Sequence, residues 1–171
     1  MSSGRLQTSE VVDALVLASR NEALARSFRV SELSRLAEFS ANSESIARLQ
    51  ARFHLVDGRC GVAGQVTATL RAVCQRCLQP LNVIVDDQFH LVVVRSEKEM
   101  NELPEAQDSV IANAEQLDLQ WLAEEQLLLA VPLVPLHSAT EECGAVSREE
   151  IPQVSEKRNA PFEQLRDLLK K

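Results

Sequence analysis

The middle of the chain alternates between apolar and polar positions with a period of two. Three successive runs carry the pattern, and their apolar positions are Ala47, Leu49, Ala51, Phe53 and Leu55, then Cys60, Val62, Gly64, Val66, Ala68, Leu70 and Ala72, then Val83, Val85, Phe89, Leu91 and Val93. This period is typical of strands that bury one side and expose the other. Asp57 and Gly58 form a turn signal between the first two runs, and Asp86 and Asp87 indicate a bulge or bend in the third. The pattern predicts an antiparallel, barrel-like meander around residues 46–94.

The pattern before the meander is shorter and more mixed. Residues 9–19 fit either a short helix or an extended segment, because the apolar run is too short to distinguish the periods. Residues 24–30 predict a brief strand. Ser31 then predicts the cap of a helix that ends near Ser40 and whose shared apolar face consists of Leu33, Leu36 and Ala37.

Two capping signals follow the meander. Ser96 and Glu99 have the spacing of a capping box and predict a short acidic helix. Residues 108–112 predict a further strand. Asp118 can cap a helix over residues 119–130, whose apolar positions recur at helical spacing before two prolines end it.

The predicted fold class is α+β, with the antiparallel sheet packed by a few helices. One domain is expected over residues 1–137. Residues 138–160 are polar and acidic without periodicity, which predicts a loop that is mobile or ordered by a partner. Residues 161–171 predict a carboxyl-terminal helix that docks on its own core or on a partner through Phe162, Leu165, Leu168 and Leu169.

Composition narrows the classes of protein that fit. The chain has 171 residues, of which 45% are hydrophobic and 25% charged, so one globular domain with a substantial core is expected. Aromatic residues make up 4% and glycines number 5, which leaves little material for base-stacking platforms or phosphate loops. No apolar run reaches membrane-spanning length and no export signal is evident, so a cytoplasmic protein with reduced cysteines is expected.

Charge is unevenly distributed along the chain. The net charge is −7, yet the stretch from Arg20 to Arg76 has nine arginines and five acids. The first eleven basic residues are all arginine, whose planar fork matches phosphate oxygens. Solvated surface arginines are the simpler interpretation. The alternative hypothesis is a surface that binds phosphate or carboxylate groups, since Arg48, Arg52 and Arg71 would share the polar face of the predicted hairpin.

Four residues form a candidate metal site. Cys74 and Cys77 form a C-x-x-C turn between two predicted strands, and His137 and Cys143 lie about sixty residues later. Together they would supply a Cys3His set, which suits a structural zinc ion. Two other interpretations stay open: unrelated structural cysteines, and a redox pair, although a redox C-x-x-C normally opens a helix.

No motif for enzymatic catalysis is evident. Walker loops, dinucleotide fingerprints, nucleophile elbows and H-E-x-x-H are all absent from the sequence. Paired acids such as Glu124 and Glu125 have no neighbouring histidine or nucleophile, and a solvated acidic face is the preferred interpretation. The sequence therefore predicts a protein that is not an enzyme.

Several short motifs occur in an order that resembles a known family. They are Cys74-Gln-Arg-Cys77 with Leu78-Gln-Pro-Leu81, the segment from Leu128 to His137 with its two prolines, Asn159-Ala-Pro161-Phe162 with Leu165 and Lys170-Lys171, and the helix-like stretch from Val30 to Ala37. This set is similar to the YceD family, the bacterial large ribosomal RNA subunit accumulation proteins. Many members carry further cysteines after the proline-rich segment, where this chain has His137 and Cys143.

The resemblance implies a cytoplasmic, non-catalytic ribosome biogenesis factor that supports the accumulation of 23S ribosomal RNA. Its expected partners are large-subunit precursors, through RNA or ribosomal proteins, or assembly factors, with no membrane and no small-molecule substrate. Given this resemblance, the hypothetical contact surface for RNA or a partner protein is formed by Arg48, Arg52, Arg71 and Arg76. Zinc is the expected cofactor if there is one, in a structural role. The alternatives are an adaptor that binds only a ribosomal protein or assembly factor, and a C-x-x-C thiol oxidoreductase.

Overall fold

A curled, five-stranded sheet forms the centre of the molecule, as seen in a computed structural model that describes residues 10–40, 44–112, 116–139 and 143. Its strands follow the order β2-β3-β4-β5-β6, and all neighbours are antiparallel except β5 and β6. The sheet curls into a half-barrel, so the predicted α+β class and barrel-like curvature are confirmed. The strands are β1 (Val11–Asp13), β2 (Ala23–Arg29), β3 (Ile46–Val56), β4 (Arg59–Val73), β5 (Pro80–Val94), β6 (Ser109–Ile111) and β7 (Gln116–Asp118).

Helices cover the inner face of the sheet. They are α1 (Ala14–Ser19), α2 (Ser34–Phe39), α3 (Glu97–Asn101) and α4 (Leu119–Ala130), and a 3-10 turn spans Val30–Glu32. Helices α1 and α4 pack on β3, β4 and β5. The core between these layers contains the apolar positions that the alternation singled out, with Leu49, Phe53, Val62 and Leu70 fully buried. Burial of this face is the main stabilising contribution to the fold.

Gly64 marks a close approach within the inner face. A Cβ atom at this position would lie 2.6 Å from the Gln50 carbonyl oxygen and would overlap the ring of Phe89. Phe89 is the cross-strand partner of Gly64, so its ring lies across the space that a side chain would fill. The glycine is therefore required for the packing of Phe89 between β4 and β5.

The amino-terminal segment contains both of the structures that its pattern left open. Residues Val11–Asp13 are extended and pair with Gln116–Asp118, while Ala14–Ser19 are helical. Asp13 separates the two because its Oδ1 accepts a hydrogen bond from the Val16 amide at 2.9 Å and caps the helix. The small β1–β7 sheet was not predicted, because three-residue strands carry too few alternating positions to be recognised.

Helix α2 begins later than the sequence predicted. Ser31 lies in the 3-10 turn, and the backbone at Leu33 is extended before the helix starts at Ser34. Leu33 makes no side-chain cap. The cap comes instead from helix α4, where the Glu124 Oε1 atom accepts hydrogen bonds from the amides of Arg35 at 2.8 Å and Leu36 at 3.3 Å.

The predicted bulge at Asp86 and Asp87 is absent from β5. One register joins β4 and β5 from Cys60–Val93 to Val73–Pro80 without interruption, and both aspartates have partners within it. Both aspartates are exposed. The apolar–polar alternation of β5 is therefore interrupted at Asp87 because this position is not buried, and not because the strand is bulged. The other predicted elements of this part are confirmed, including the acidic helix after Ser96 and the helix capped by Asp118.

The predictions for the carboxyl-terminal part lie largely outside the described residues. Of the acidic loop over 138–160, the structure describes Ser138, Ala139 and Cys143. The predicted helix over 161–171, with Phe162, Leu165, Leu168 and Leu169, lies entirely outside them. None of the helices in the described ranges has the length and apolar character that a bilayer crossing requires.

Candidate metal cluster and arginine face

The turn between β4 and β5 positions the first two candidate ligands. Cys74 follows the last residue of β4, and the chain reverses because Leu78 adopts a left-handed φ of 60°. The Leu78 amide donates to the Cys74 carbonyl and the Cys74 amide donates to the Gln79 carbonyl, both at 2.9 Å. These bonds fix a tight knuckle in which both cysteine side chains are near one point.

The segment after α4 supplies the other two candidate metal ligands. Val131 ends the helix in an extended conformation, and the following prolines keep the chain extended as it passes the knuckle. The Gln75 amide donates to the Pro135 carbonyl at 2.9 Å, which joins this segment to the turn. His137 and Cys143 follow and lie beside Cys74 and Cys77.

The four predicted residues meet in one cluster. Their ligand atoms all lie within 4.8 Å of one another. The Cys77 Sγ and His137 Nδ1 atoms are 3.4 Å apart, the Cys143 Sγ and His137 Nδ1 atoms 3.6 Å, and the two Sγ atoms of Cys74 and Cys143 4.0 Å. Zinc bonds of about 2.3 Å to sulfur and 2.1 Å to nitrogen give tetrahedral edges of about 3.6–3.8 Å. The cluster therefore has the donor types and the spacing of a closed zinc site.

The electrostatics of the cluster favour one thiolate. Burial raises the pKa of Cys74, but hydrogen bonds from the backbone amides of His137, Cys77 and Arg76 outweigh burial and lower this pKa to about 5. Burial raises the pKa of Cys143, and hydrogen bonds with Cys77 and Cys74 act in the same direction. Backbone amides that point at a cysteine sulfur stabilise negative charge on it, with or without a metal ion.

The geometry does not match a thiol redox centre. The C-x-x-C turn connects two strands, and no helix begins at Cys74 or Cys77, whereas a redox C-x-x-C normally opens a helix. Cys74 is fully buried and Cys77 is half-buried. The observed arrangement is that of a knuckle that presents ligands.

The predicted arginines occupy two different places. Arg48, Arg52 and Arg71 lie on the outer face of the sheet, opposite the helices: Arg48 pairs with Thr67 in the register, and Arg71 is four residues further along β4. At about 3.3 Å per residue, Arg48 and Arg52 are about 13 Å apart along β3. Arg76 lies at the knuckle instead, with its Nη1 atom 3.5 Å from the Cys143 Sγ atom.

Ion pairing separates four of the outer-face arginines from the other arginines. Arg20, Arg26, Arg35 and Arg59 each have a carboxylate within 4.0 Å. Within the described residues, no carboxylate lies that close to the side chains of four outer-face arginines, which are Arg29, Arg48, Arg52 and Arg71, whereas Arg59, on the same face of β4, is paired with Glu102. Sequence reasoning missed Arg29, which becomes visible once the register places it opposite Ile46 at the edge of the same face. We call these four residues the arginine face.

Comparison with known proteins identifies the family of this chain. The described residues form an α+β half-barrel with a Cys3His cluster at one end and an arginine face without carboxylate partners among these residues. The protein-family model described as "Large ribosomal RNA subunit accumulation protein YceD" matches residues 62–169, and the chain belongs to this family. A relative with the same name from Haemophilus influenzae is 30% identical over 150 residues, covering 84% of this chain and 86% of the relative. No solved structure gives a significant match.

Proposed function

We propose that this protein is a non-catalytic ribosome biogenesis factor, acting in the cytoplasm, that supports accumulation and maturation of 23S ribosomal RNA. Membership of the YceD family supports a role connected with the large ribosomal subunit. The observation that carries the molecular hypothesis is the arginine face, because guanidinium groups that have no carboxylate partner among the described residues are suited to bidentate contacts with phosphate. The partner in this proposal is a precursor of the large subunit, contacted through its RNA.

The net negative charge of the chain is compatible with this role. Acidic residues concentrate in the second half of the sequence, whereas the strands β3 and β4 carry no acid on their outer face. Local charge, and not net charge, determines where a phosphate group is attracted at physiological salt, because screening limits the range to about 8 Å. In this proposal the acidic regions repel RNA from the wrong surface of the protein or bind a basic ribosomal protein.

Charge reversal on the arginine face tests the proposal. Replacing Arg48 and Arg52 by Glu is expected to remove most co-sedimentation with large-subunit precursors. The matched control replaces Arg20 and Arg26 by Glu, which changes the net charge equally but affects arginines that lie outside the arginine face and already have carboxylate partners. Equal sedimentation of both double variants, with folding intact, would discard the arginine face as the contact surface.

We also propose that Cys74, Cys77, His137 and Cys143 hold a structural zinc ion. The support is the donor set and the agreement of its spacing with tetrahedral coordination. Zinc would join the β4–β5 turn to the segment after α4, two parts of the chain about sixty residues apart. Metal analysis of protein purified without chelator is expected to give about one zinc per chain, and a ratio near zero would remove the site.

A further inference from the structure

A hollow of about 590 Å³ opens on the outer face of the sheet, next to the arginine face. Strands β2 to β5 all contribute to its lining. Its floor is low because three of the lining residues, Ala23, Ala25 and Ala63, have small side chains. Cavities of this size accommodate a nucleotide-sized ligand.

Two rows of residues that are paired across neighbouring strands supply the side chains of the hollow. In the first row the register places Arg52 opposite Ala63, and Ala63 opposite His90. In the second, it places Gln50, Gln65 and Gln88 side by side across three strands. The amide side chains offer donors and acceptors, and Gln65 donates to the Asp86 carboxylate from the neighbouring row.

The first row has the dimensions of a stacking site. Arg52 and His90 stand on β3 and β5, two strand spacings or roughly 9.6 Å apart, with only the Ala63 methyl group between them. A base inserted between two planar groups needs about 7 Å, twice the stacking distance of about 3.4 Å. Guanidinium and imidazole planes are both used to stack unpaired bases in RNA recognition.

We propose that the hollow holds one unpaired nucleobase of RNA, stacked between the Arg52 guanidinium and the His90 imidazole above Ala63. The glutamine row then contacts the edge of this base or of its neighbour. The proposal rests on the proposed RNA-binding function and makes it more specific, because a base can enter the hollow only where the RNA is single-stranded. The ligand class is therefore an unpaired loop or end, whose phosphates lie along the arginine face.

Filling the hollow tests the proposal directly. Ala63→Ile places a branched side chain between Arg52 and His90, and β-branched residues suit strand positions, so the sheet is expected to tolerate the change. Ala106→Ile makes the same chemical change at an exposed loop position that does not line the hollow, and it serves as the control. Circular dichroism and thermal unfolding of both variants report whether the fold is kept.

Binding is measured by fluorescence anisotropy with an unstructured 12-nucleotide RNA and with a fully paired, blunt-ended RNA duplex. The wild-type protein is expected to prefer the single strand. Loss of one stacked base predicts a roughly 5- to 150-fold weaker affinity of Ala63→Ile for the single strand, with duplex binding unchanged. The Ala106→Ile variant should match the wild type with both RNAs.

A second readout reports stacking itself. A single 2-aminopurine in the 12-nucleotide RNA should be quenched by wild-type protein and by Ala106→Ile, but not by folded Ala63→Ile. If Ala63→Ile binds and quenches like the wild type while charge reversal at Arg48 and Arg52 still abolishes binding, the base site is refuted and the arginine face stands. If the wild-type protein binds neither RNA, the proposed function and the base site both fail.

Discussion

Glu124 is predicted to be the most sensitive acidic residue of the described fold. Its side chain projects from α4 towards the start of α2, and the residue is 8% exposed. Its Oε1 atom accepts hydrogen bonds from the amides of Arg35 and Leu36, and its Oε2 atom lies 3.5 Å from the Arg35 Nε atom. The carboxylate therefore caps a helix whose own N-cap residue, Leu33, has no side-chain acceptor.

The expected cost of Glu124→Ala follows from the two amides that it leaves behind. Leu36 is fully buried, so its amide would lose its acceptor without replacement by water, while the amide of Arg35 is partly accessible. An unsatisfied buried donor costs about 1–3 kcal/mol, and the more accessible amide adds less. We expect the free energy of unfolding to fall by about 2–3 kcal/mol. Glu124→Gln keeps an acceptor oxygen and should lose about half of that.

Glu125 provides the matched control. It is the next residue, and its Oε1 atom accepts from the Arg35 Nη2 atom at 2.6 Å, but it contacts no backbone amide of α2 in the hydrogen bonds of the described residues. Exposed ion pairs contribute little to stability, so Glu125→Ala should cost far less than Glu124→Ala. Urea unfolding followed by circular dichroism and by fluorescence of Trp121, the only tryptophan, gives the comparison. Equal losses for the two alanine variants would refute the capping role.

Three further predictions concern other parts of the molecule. A chelator that removes zinc should lower the thermal unfolding midpoint of the wild-type protein. The Cys143→Ser variant should have a lower midpoint before chelator is added, and the chelator should lower it by less. Equal chelator-induced shifts of the two proteins in calorimetry would argue against a structural ion. Gly64→Ala should lower the free energy of unfolding by about 1–3 kcal/mol, because the added Cβ atom would overlap the Phe89 ring and the Gln50 carbonyl oxygen. A urea unfolding midpoint equal to that of the wild type would contradict this packing. Asp118→Ala should lower the free energy of unfolding by about 1 kcal/mol because the cap of α4 is lost, whereas Asp118→Asn keeps an acceptor oxygen and should change it little. Urea unfolding of both variants tests this, because equal losses would indicate an effect of charge and not of the cap.

The sequence predicted those parts of the fold that depend on local periodicity. Strands β3, β4 and β5 are long enough for their alternation to be unambiguous, and the register follows from the Asp57-Gly58 turn. The cap of α4 was also predictable, since the Asp118 side chain acts on amides two and three residues away. Such signals are local, so they can be recognised in one sequence.

Features that depend on distant residues were predicted less well. Glu124 was interpreted as part of a solvated acidic face, although it is buried against α2, because its partners are almost ninety residues away. Arg29 was missed for the same reason, since its face is defined only by pairing with β3. The Cys3His set could be proposed across a gap of sixty residues because cysteine and histidine are rare enough to be matched by chemistry alone.

The pairing of β1 with β7 has a consequence for how the protein is made. Val11 and Asp118 are partners although more than a hundred residues separate them, and the Leu119 amide also donates to the Glu10 carbonyl. A chain emerging from a translating ribosome exposes its first strand long before the partner strand has been synthesised. Contacts of such sequence separation form slowly. The early segment therefore stays unpaired until residues 116–118 have been synthesised, and a chaperone that shields it during this interval would raise the yield of folded protein.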